Sequence, residues 1–483
     1  MNTVQGPARS LGMGVRRRAD ARALVWAGCA AFLTDLAVRS GVAGVAGTLL
    51  VVAVVAGVLA SGRGMGVQAA GVVASALPFG LCLSVRMSPW LLPLDIAAIG
   101  GLLLLGTSLA AGGSLLGLPL PSLAVRALHA LGHGLAAPAY LAAPLERRRP
   151  AALLRGLGIA LPLLVVLGLL LASADAVFAG FFRWWPPATV ISHVVLLGIG
   201  AWGMGGLLRL RSAEPAPAPP EVSYRLGHVE ATVILGSLLS LFTAFAAAQL
   251  VALSAGGRHV IETAGLTYAE YARTGFFQLL AVAAITLVTL VGLRAATDLG
   301  DPRHRRRFTV MAEAAVALTL VIVAVALRRL GLYEQAYGLT MLRLSSTVFA
   351  VWVGAVLLAA GASLAGIAAG RAWLPAAALV AGLVLLLGLN VANPEAIVVR
   401  HNVDRAVHTQ KVDPSYLAEL SDDAVPDLVR ALPRLPDPAR AQVLAAVCDG
   451  IEPPFAGWAA ANTSRWRAAD ARQQVCRPSG VRR

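Results

Sequence analysis

The chain has 483 residues, of which 58% are hydrophobic and only 13% are charged, and its mean hydropathy is +0.74. Soluble domains carry about 25% charged residues, so this composition excludes an ordinary soluble protein and predicts a membrane protein. The formal net charge is +15, and Lys411 is the one lysine among 40 basic residues. Because the arginines stand at the ends of apolar stretches, we assign them to membrane orientation and anionic head groups, and we expect no nucleic-acid partner.

Eleven stretches are apolar and long enough to cross the lipid bilayer, for which a helix needs about 20 residues. They are 23–38, 41–60, 66–85, 90–111, 151–174, 188–208, 228–254, 276–294, 309–328, 344–367 and 373–391. A further stretch, 122–145, contains Arg126, His129, His133 and Pro138, and we interpret it as a re-entrant or interfacial helix. The predicted fold is all-α: a multi-pass transmembrane helical bundle with a small extracytoplasmic helical C-terminal domain.

The arginines are distributed unequally between the two sides of this arrangement. With eleven spans, eighteen arginines fall on the side of the N-terminus and eight on the opposite side. The positive-inside rule therefore predicts a cytoplasmic N-terminus and an extracytoplasmic C-terminus. Counting 122–145 as a further span would weaken this asymmetry, because it would move the three arginines at 147–149 to the outside.

Composition divides the chain into five parts. These are a basic cytoplasmic N-terminus (1–22), a first membrane half (23–211), a Pro/Ala linker (212–224), a second membrane half (225–391) and a polar helical tail (392–483). Within the tail, 421–433 and 437–448 are predicted to form short amphipathic helices that begin at a Ser or Asp N-cap. Cys448 and Cys476 lie in this polar tail, where an oxidising compartment would allow them to form a disulfide.

Two motifs that elsewhere bind cofactors or metals occur in the apolar part of the chain. Gly198, Gly200 and Gly203 match the dinucleotide pattern GxGxxG, but they lie inside a span, where glycines are typical of close helix packing. His129 and His133 share one helix face without the glutamate of a metalloprotease, so a polar interfacial face is the favoured interpretation. We therefore predict no metal and no cofactor, and we assign no catalytic residue.

Polar residues concentrated in four outer junctions form the candidate site. Three of these junctions mix Tyr or Asn with Glu and Arg, and the residues Tyr333, Glu334 and Tyr337 are predicted to share a short interfacial helix. The proposed set is Asp175, Glu262, Tyr268, Tyr271, Arg273, Tyr333, Glu334, Tyr337, Arg343, Asn393, Glu395 and Arg400. An aromatic belt with salt bridges between the loops would explain this pattern. The functional alternative is a polar pocket for a head group, a sugar or a peptide.

Five segments, all on the predicted outer side, resemble one bacterial family of polytopic membrane proteins catalogued as a domain of unknown function. They are SADAVF (173–178), TYAEYARTGFF (267–277), LYEQAYGLT (332–340), NPEAIVVRHN (393–402) and YLAELSDDAVP (416–426). The resemblance covers roughly residues 150–430. It implies a multi-pass protein of the bacterial cytoplasmic membrane, and it supplies neither a reaction nor a catalytic residue.

Two classes of function are consistent with these features. The favoured hypothesis is a non-enzymatic envelope protein with an accessory, sensory or scaffolding role, whose outer loops and tail bind an envelope ligand or a protein partner. The alternative is a membrane-embedded transferase or transporter for an envelope lipid or sugar precursor. The short first outer junction, near Asp35 and Arg39, disfavours a transferase that carries its carboxylate in a large first loop. The sequence also lacks a convincing pair of interrupted spans, which many transporters have.

Overall fold

The computed structural model of the protein describes residues 18–61, 64–142, 187–219, 226–254, 275–367, 373–449 and 457–476, with a few single residues between 163 and 171. Throughout these ranges the regular structure is helical, apart from one isolated bridge between Leu226 and Thr297. The predicted all-α multi-pass bundle is therefore confirmed. The predicted span 151–174 lies almost wholly outside the described residues.

The described helices fall into two groups, numbered here in chain order. The helices of the bundle are α1 (Ala21–Ser40), α2 (Val45–Ala60), α3 (Val67–Ala74), α4 (Ala76–Cys82), α5 (Leu92–Leu109), α6 (Leu120–Leu135), α7 (Ala137–Ala142), α8 (Pro187–Arg211), α9 (His228–Ser254), α10 (Phe276–Ala296), α11 (Pro302–Tyr337), α12 (Met341–Leu364) and α13 (Leu374–Ala392). The C-terminal helices are α14 (Pro394–Thr409), α15 (Pro414–Ala418), α16 (Val425–Ala431), α17 (Asp437–Asp449) and α18 (Thr463–Val475).

Eight of these helices, α1, α5 and α8 to α13, are long and apolar enough to cross a membrane. A helix satisfies its own backbone hydrogen bonds, so such segments can lie in lipid, where no water is available to pair with N–H and C=O groups. Helix α2 is apolar but has only 16 residues, which at about 1.5 Å per residue is shorter than the hydrocarbon core of about 30 Å. The eleven predicted spans thus correspond to eight full-length candidates among the described residues, together with shorter apolar helices.

The predicted span 66–85 is divided into α3 and α4 at Ser75. Pro78 explains the break, because proline has no backbone N–H to donate to the carbonyl of Ala74 and its ring clashes there. The Ser75 hydroxyl donates to the Val72 carbonyl at 2.7 Å, which satisfies one acceptor at the end of α3. The sequence pattern predicted the position of this segment but not its division.

Helices α6 and α7 stay at one end of the bundle. Near the beginning of α6, the Arg126 guanidinium donates to the carbonyls of Ser108 and Gly112, at the end of α5. Beyond it, the carbonyl of Tyr140 in α7 accepts from the backbone N–H of Ala19, just before α1. This segment therefore begins and ends at the same end of the bundle, as a re-entrant or interfacial helix pair does.

The face of α6 that carries His129 and His133 is buried rather than interfacial. The two side chains are 4% and 3% exposed, their Nε2 atoms lie 3.2 Å apart, and Arg209 of α8 lies 2.6 Å from Nδ1 of His133. The predicted polar interfacial face is therefore wrong, because α8 covers it. No group of three or more metal-ligating side chains occurs in the described part of the chain.

Helix α8 packs lengthwise against α1, and Gly200 makes this close approach possible. A Cβ atom at Gly200 would lie 2.7 Å from the carbonyl oxygen of Ala30. At Gly198 and Gly203, by contrast, an added Cβ would meet no atom of the described residues within 4 Å. The interpretation of the glycine motif as a helix contact therefore holds for its middle glycine, whereas no described residue approaches the outer two.

The bundle has two apolar cores, one in each membrane half. The first lies among α1 to α5 and α8, and the second among α9 to α12. Helix α13 follows the second half in the chain, yet its residues Leu383, Leu386 and Leu387 pack against the first core. The Trp352 indole of α12 donates to the Ala378 carbonyl of α13 at 2.9 Å, so α13 connects both halves.

The C-terminal helices have an apolar core of their own, which includes Val399, Leu417, Leu428 and Val443. The predicted helix 437–448 corresponds to α17, and 421–433 corresponds to α16. The predicted Ser N-cap is wrong for α16, which begins only at Val425 after Ala424 and has no side-chain cap. A disulfide joins Cys448 at the end of α17 to Cys476 after α18, with their Cα atoms 5.6 Å apart. We call the end of the bundle that these helices contact the tail end, and the opposite end, which carries 212–219, the linker end.

Candidate functional site

Asn393 directs the chain from the last bundle helix into the C-terminal helices. It is the only residue between α13 and α14, and its φ of 56° is left-handed, a conformation that Asn tolerates better than most residues. Its side-chain oxygen caps α14 by accepting from Ala396 N–H at 3.2 Å. Its amide nitrogen donates to the Asp423 carbonyl at 2.8 Å. One asparagine thus ends one helix, begins the next and holds the turn before α16.

Asp423 is the buried anchor of this junction. Its side chain is fully buried, and one carboxylate oxygen accepts from the backbone N–H groups of Met87 and Ser88 at 3.0 and 2.8 Å. The other oxygen accepts from the Ser464 hydroxyl and lies 3.7 Å from the Arg86 guanidinium. A buried carboxylate needs such partners, because desolvation of an unpaired charge is costly. The Asp423 side chain therefore connects the turn before α5 to the beginning of α18.

Arg86 connects the same carboxylate to the end of α13. It donates to the backbone carbonyls of Asn390 and Val391 at 2.6 and 3.1 Å. Asn390 in turn donates to the Asp95 carboxylate of α5 at 2.8 Å. The charge of Arg86 is thereby shared among carbonyl groups at a helix C-terminus, where a cation is favourable.

Asn462 ties the beginning of α18 to two junctions of the first membrane half. Its amide nitrogen lies within hydrogen-bonding distance of the carbonyls of Ala43, Leu83 and Arg86, at 3.4, 3.0 and 3.2 Å. Its side-chain oxygen caps α18 by accepting from Ser464 N–H at 2.8 Å. The tail end of the bundle is therefore contacted by the C-terminal helices at the 41–44, 83–91 and 390–393 junctions.

Glu395 is the second buried carboxylate, only 1% exposed. It accepts from both the backbone N–H and the hydroxyl of Ser421, at 2.8 and 2.7 Å. Burial raises the pKa of the Glu395 carboxyl above its usual value, because it disfavours the charged form. The hydrogen bonds from Ser421 oppose this shift, and the neighbouring charge of Asp423 adds to it.

A pocket of about 250 Å³ opens beside this network, between the tail end and the C-terminal helices. Three arginines and two aspartates contribute to its wall: Arg86, Arg430, Arg467, Asp423 and Asp427. Asp427 lies 3.2 Å from Arg430 and 3.5 Å from Arg400. Arg467, on α18, is exposed and has no acidic partner among the described residues. The pocket wall therefore carries a net positive charge.

A second cluster lies at the turn between α11 and α12. The Arg343 guanidinium lies 4.1 Å above the Tyr333 ring, a cation–π arrangement, and it donates to the Gly338 carbonyl. Tyr333 and Tyr337 meet edge to face with ring centres 5.0 Å apart. Thr347 donates to Glu334 at 3.4 Å. These contacts hold the turn between two membrane helices.

Helix α14 separates the two clusters and contacts both. Asn402 makes a pair of hydrogen bonds with the backbone of Leu339, accepting from its N–H at 2.9 Å and donating to its carbonyl at 2.7 Å. Arg405 donates to the carbonyls of Gln335 and Ala336 at the end of α11. Tyr416 accepts from Met341 N–H at 2.7 Å. The 338–340 turn is thus the fourth junction that the C-terminal helices contact.

The comparison with known protein families agrees with this architecture. Residues 73–431 match the family described as "Domain of unknown function (DUF4153)". The chain belongs to the DUF4153 family. No curated protein and no solved structure matches the chain significantly. The family match includes Arg86, Asn393 and Asp423 of this DUF4153 protein, whereas Ser464 and Arg467 lie beyond it.

The described members of the predicted site fall into the two clusters. Asn393, Glu395 and Arg400 lie at the buried junction, and Tyr333, Glu334, Tyr337 and Arg343 lie at the turn between α11 and α12. Asp175, Glu262, Tyr268, Tyr271 and Arg273 lie outside the described residues. That these twelve residues form one binding site stays a prediction.

The three residues predicted to share a short interfacial helix instead belong to the last turns of α11. This helix has 36 residues and at about 1.5 Å per residue is about 54 Å long, well beyond the hydrocarbon core of about 30 Å. Hydropathy falls at Arg328, where the chain leaves the apolar layer, but the helix itself continues. Tyr333 and Glu334 are therefore held on a rigid extension of a bundle helix.

The sequence analysis missed Asp423, Asp427, Arg430, Ser464 and Arg467. Asp423 lies in the segment YLAELSDDAVP, whose resemblance to the family was the only signal that pointed to it. The sequence indicated Arg86 only as one of the eight arginines on the predicted outer side. Asp423 lies 336 positions from Met87 and 41 positions from Ser464, so no local pattern brings these partners together.

Glu395→Gln should remove a pH dependence from the attachment of the C-terminal helices. A carboxyl whose pKa is raised in the folded state stabilises it most at low pH, and this contribution is lost as pH rises through the raised value. Glutamine cannot ionise, so we expect the variant to unfold at the same temperature as the wild type at about pH 4, and at a higher temperature than the wild type at about pH 8. Thermal unfolding of both proteins in one detergent measures the difference, and a difference that is independent of pH would contradict the role of burial.

Proposed function

We propose that this DUF4153 protein is a non-enzymatic integral membrane protein of the bacterial envelope, with an accessory, sensory or scaffolding role. Its C-terminal helices lie outside the cytoplasm and, together with the tail end of the bundle, bind an anionic group of an envelope ligand. The observation that carries the proposal is the pocket lined by Arg86, Arg430 and Arg467.

The chemistry of the pocket favours an anion. Guanidinium groups present planar pairs of N–H donors that match carboxylate, phosphate and sulfate oxygens. Arg430 is 73% exposed and shares Asp427 with Arg400, and Arg467 has no described acidic partner, so both can contact a ligand. At about 250 Å³ the pocket is smaller than the 300–1,000 Å³ typical of drug-sized ligands, so it fits one charged group of a larger molecule.

Two polar side chains of the pocket wall, those of Ser464 and Asp423, favour a structural rather than a catalytic role. Ser464 and Asp423 form a hydroxyl–carboxylate pair, but both side chains are buried. Asp423 also accepts from two backbone N–H groups, so its charge is already used to hold the junction.

Two observations support the outer location of the pocket. The arginine asymmetry of the sequence favours a cytoplasmic linker end and an extracytoplasmic tail end. The disulfide between Cys448 and Cys476 belongs to the same helices, and disulfides persist in oxidising compartments. Both features are consistent with a ligand from the envelope.

Titration with inorganic phosphate and with sulfate tests the pocket, at constant ionic strength maintained with chloride. Binding to the folded state raises the unfolding temperature by mass action. We expect Arg430→Gln/Arg467→Gln to lose most of this shift, because the two most accessible guanidinium groups are removed. Arg465→Gln is the matched control, since Arg465 lies on α18 but not in the pocket wall.

Equal stabilisation of the double variant and the wild type by phosphate and sulfate would overturn the assignment of the pocket. Loss of the shift in the Arg465→Gln control as well would show a general effect of charge rather than a site. Constant ionic strength is essential, because screening alone changes interactions between exposed charges.

A further inference from the structure

An apolar cavity of about 770 Å³ lies in the half of the bundle next to the linker end, far from the pocket described above. Helices α5, α6, α8 and α13 each contribute to its wall. Leu104, Leu131, Ile199 and Trp202 line it and remain between 45% and 59% exposed, so they face space that no described residue fills. Exposed leucine and tryptophan side chains are favourable only next to lipid or an apolar ligand.

Four glycines make room for this cavity. Gly101 of α5, Gly134 of α6, and Gly203 and Gly206 of α8 all line its wall. A Cβ atom added at Gly101 or Gly203 would meet no atom within 4 Å in the part of the chain that the structure describes. These two positions therefore face open space, unlike Gly200, where the glycine allows α1 to approach. The Trp202 ring is fixed at the cavity by its indole N–H, which donates to the Gly134 carbonyl at 2.6 Å.

Arg126 places a positive charge at the wall of this apolar cavity. Its guanidinium donates to the carbonyl and hydroxyl of Ser108, both at 2.9 Å, and to the Gly112 carbonyl at 2.7 Å. A guanidinium carries five N–H donors, so two remain after these three hydrogen bonds. No carboxylate of the described residues lies within 4.0 Å of it. An anion beside Arg126 would compensate this charge.

We propose that the cavity binds one anionic glycerophospholipid of the bilayer, with an acyl chain along the wall formed by α5 and α8 and the phosphate beside Arg126. The combination of an apolar cavity that opens between membrane helices and a cation without an acidic partner among the described residues fits an amphipathic anion. Basic pockets between membrane helices on the cytoplasmic side are known to bind anionic head groups. This site is separate from the anion pocket at the tail end.

Photo-crosslinking tests the proposal with the full chain in nanodiscs. The probe is phosphatidylglycerol with a photoactivatable acyl chain, diluted in phosphatidylcholine, and a phosphatidylcholine with the same acyl chain is the comparison. We expect the wild type to incorporate the phosphatidylglycerol probe several-fold more than the phosphatidylcholine probe, with cross-links mapped to α5 and α8.

Gly203→Leu and Gly101→Leu add side chains to the cavity wall from two different helices, at positions where an added Cβ meets no described atom within 4 Å, so each should reduce cross-linking several-fold. Gly198→Leu and Gly100→Leu are matched controls on the same two helices, because an added Cβ also meets no atom there but neither glycine lines the cavity. These controls should label like the wild type. Two independent helices keep the test informative if one cavity variant fails to fold.

Arg126→Gln separates the charge from the cavity. We expect this variant to lose the preference for phosphatidylglycerol over phosphatidylcholine while it retains labelling by both. Equal labelling of the wild type by the two probes would overturn the role of Arg126. Unchanged labelling in both cavity-filling variants would overturn the acyl-chain site.

Discussion

The Asp423→Ala variant is expected to lose most of the attachment between the C-terminal helices and the tail end of the bundle. The substitution removes the acceptor for two backbone N–H groups and for Ser464, and it leaves the Arg86 guanidinium without its carboxylate. Removing one partner of a buried ion pair costs about 3–5 kcal/mol, because the remaining charge stays desolvated. Arg86 is only 11% exposed, so water cannot replace the carboxylate easily.

Limited proteolysis and thermal unfolding in detergent measure this effect. The matched control is Asp404→Ala, which removes an exposed carboxylate that is paired with Arg434 on the C-terminal helices. Exposed ion pairs contribute about 0–1 kcal/mol, so the control should retain the stability and protease resistance of the wild type. If Asp423→Ala resembled Asp404→Ala, the buried network would not hold the two parts together.

Removal of the disulfide in the Cys448→Ser/Cys476→Ser variant is expected to destabilise the C-terminal helices by about 3.5 kcal/mol in the chain-entropy model. The two cysteines are 28 positions apart, and the crosslink fixes the end of α17 beside the end of α18. Without it, the unfolded segment between them gains conformational freedom, so the unfolded state becomes more favourable.

Thermal unfolding with and without reductant checks this prediction. Reduction should lower the unfolding temperature of the wild type to that of the double variant, and it should leave the unfolding temperature of the variant unchanged. Cys29→Ser is the control, since Cys29 is a free and exposed thiol. Thiol labelling of untreated membranes adds a second measurement. Labelled Cys448 or Cys476 in such membranes would contradict both the disulfide and the proposed extracytoplasmic location of these helices.

The helices were predictable from the sequence because their signal is local. A run of about 20 apolar residues must form a helix in lipid, and Pro/Ala-rich or charged segments mark where such runs end. The length of α11 was not predictable in the same way. Hydropathy shows where the chain leaves the membrane, at Arg328, whereas the helix ends only at Gly338, whose φ of 82° suits glycine.

The candidate site was predictable only in part. Polar residues such as Asn393 and Glu395 stand out in an apolar chain, which is why the sequence indicated them. Their partners did not stand out, because Asp423 and Ser464 lie in a polar tail where such residues are common. The decisive contacts, such as that between Met87 and Asp423 over 336 positions, depend on the packing of the whole chain.

The position of Asn462 has a consequence for the order in which the protein is made. Its amide lies close to carbonyls at Ala43, Leu83 and Arg86, which a ribosome completes hundreds of residues earlier. During synthesis the first helices must therefore enter the membrane with these carbonyls still hydrated. The carbonyls lack the Asn462 amide as a partner until α18 is translated. Contacts of such long sequence separation form late, so the final assembly of the first helices depends on the last ones to be translated.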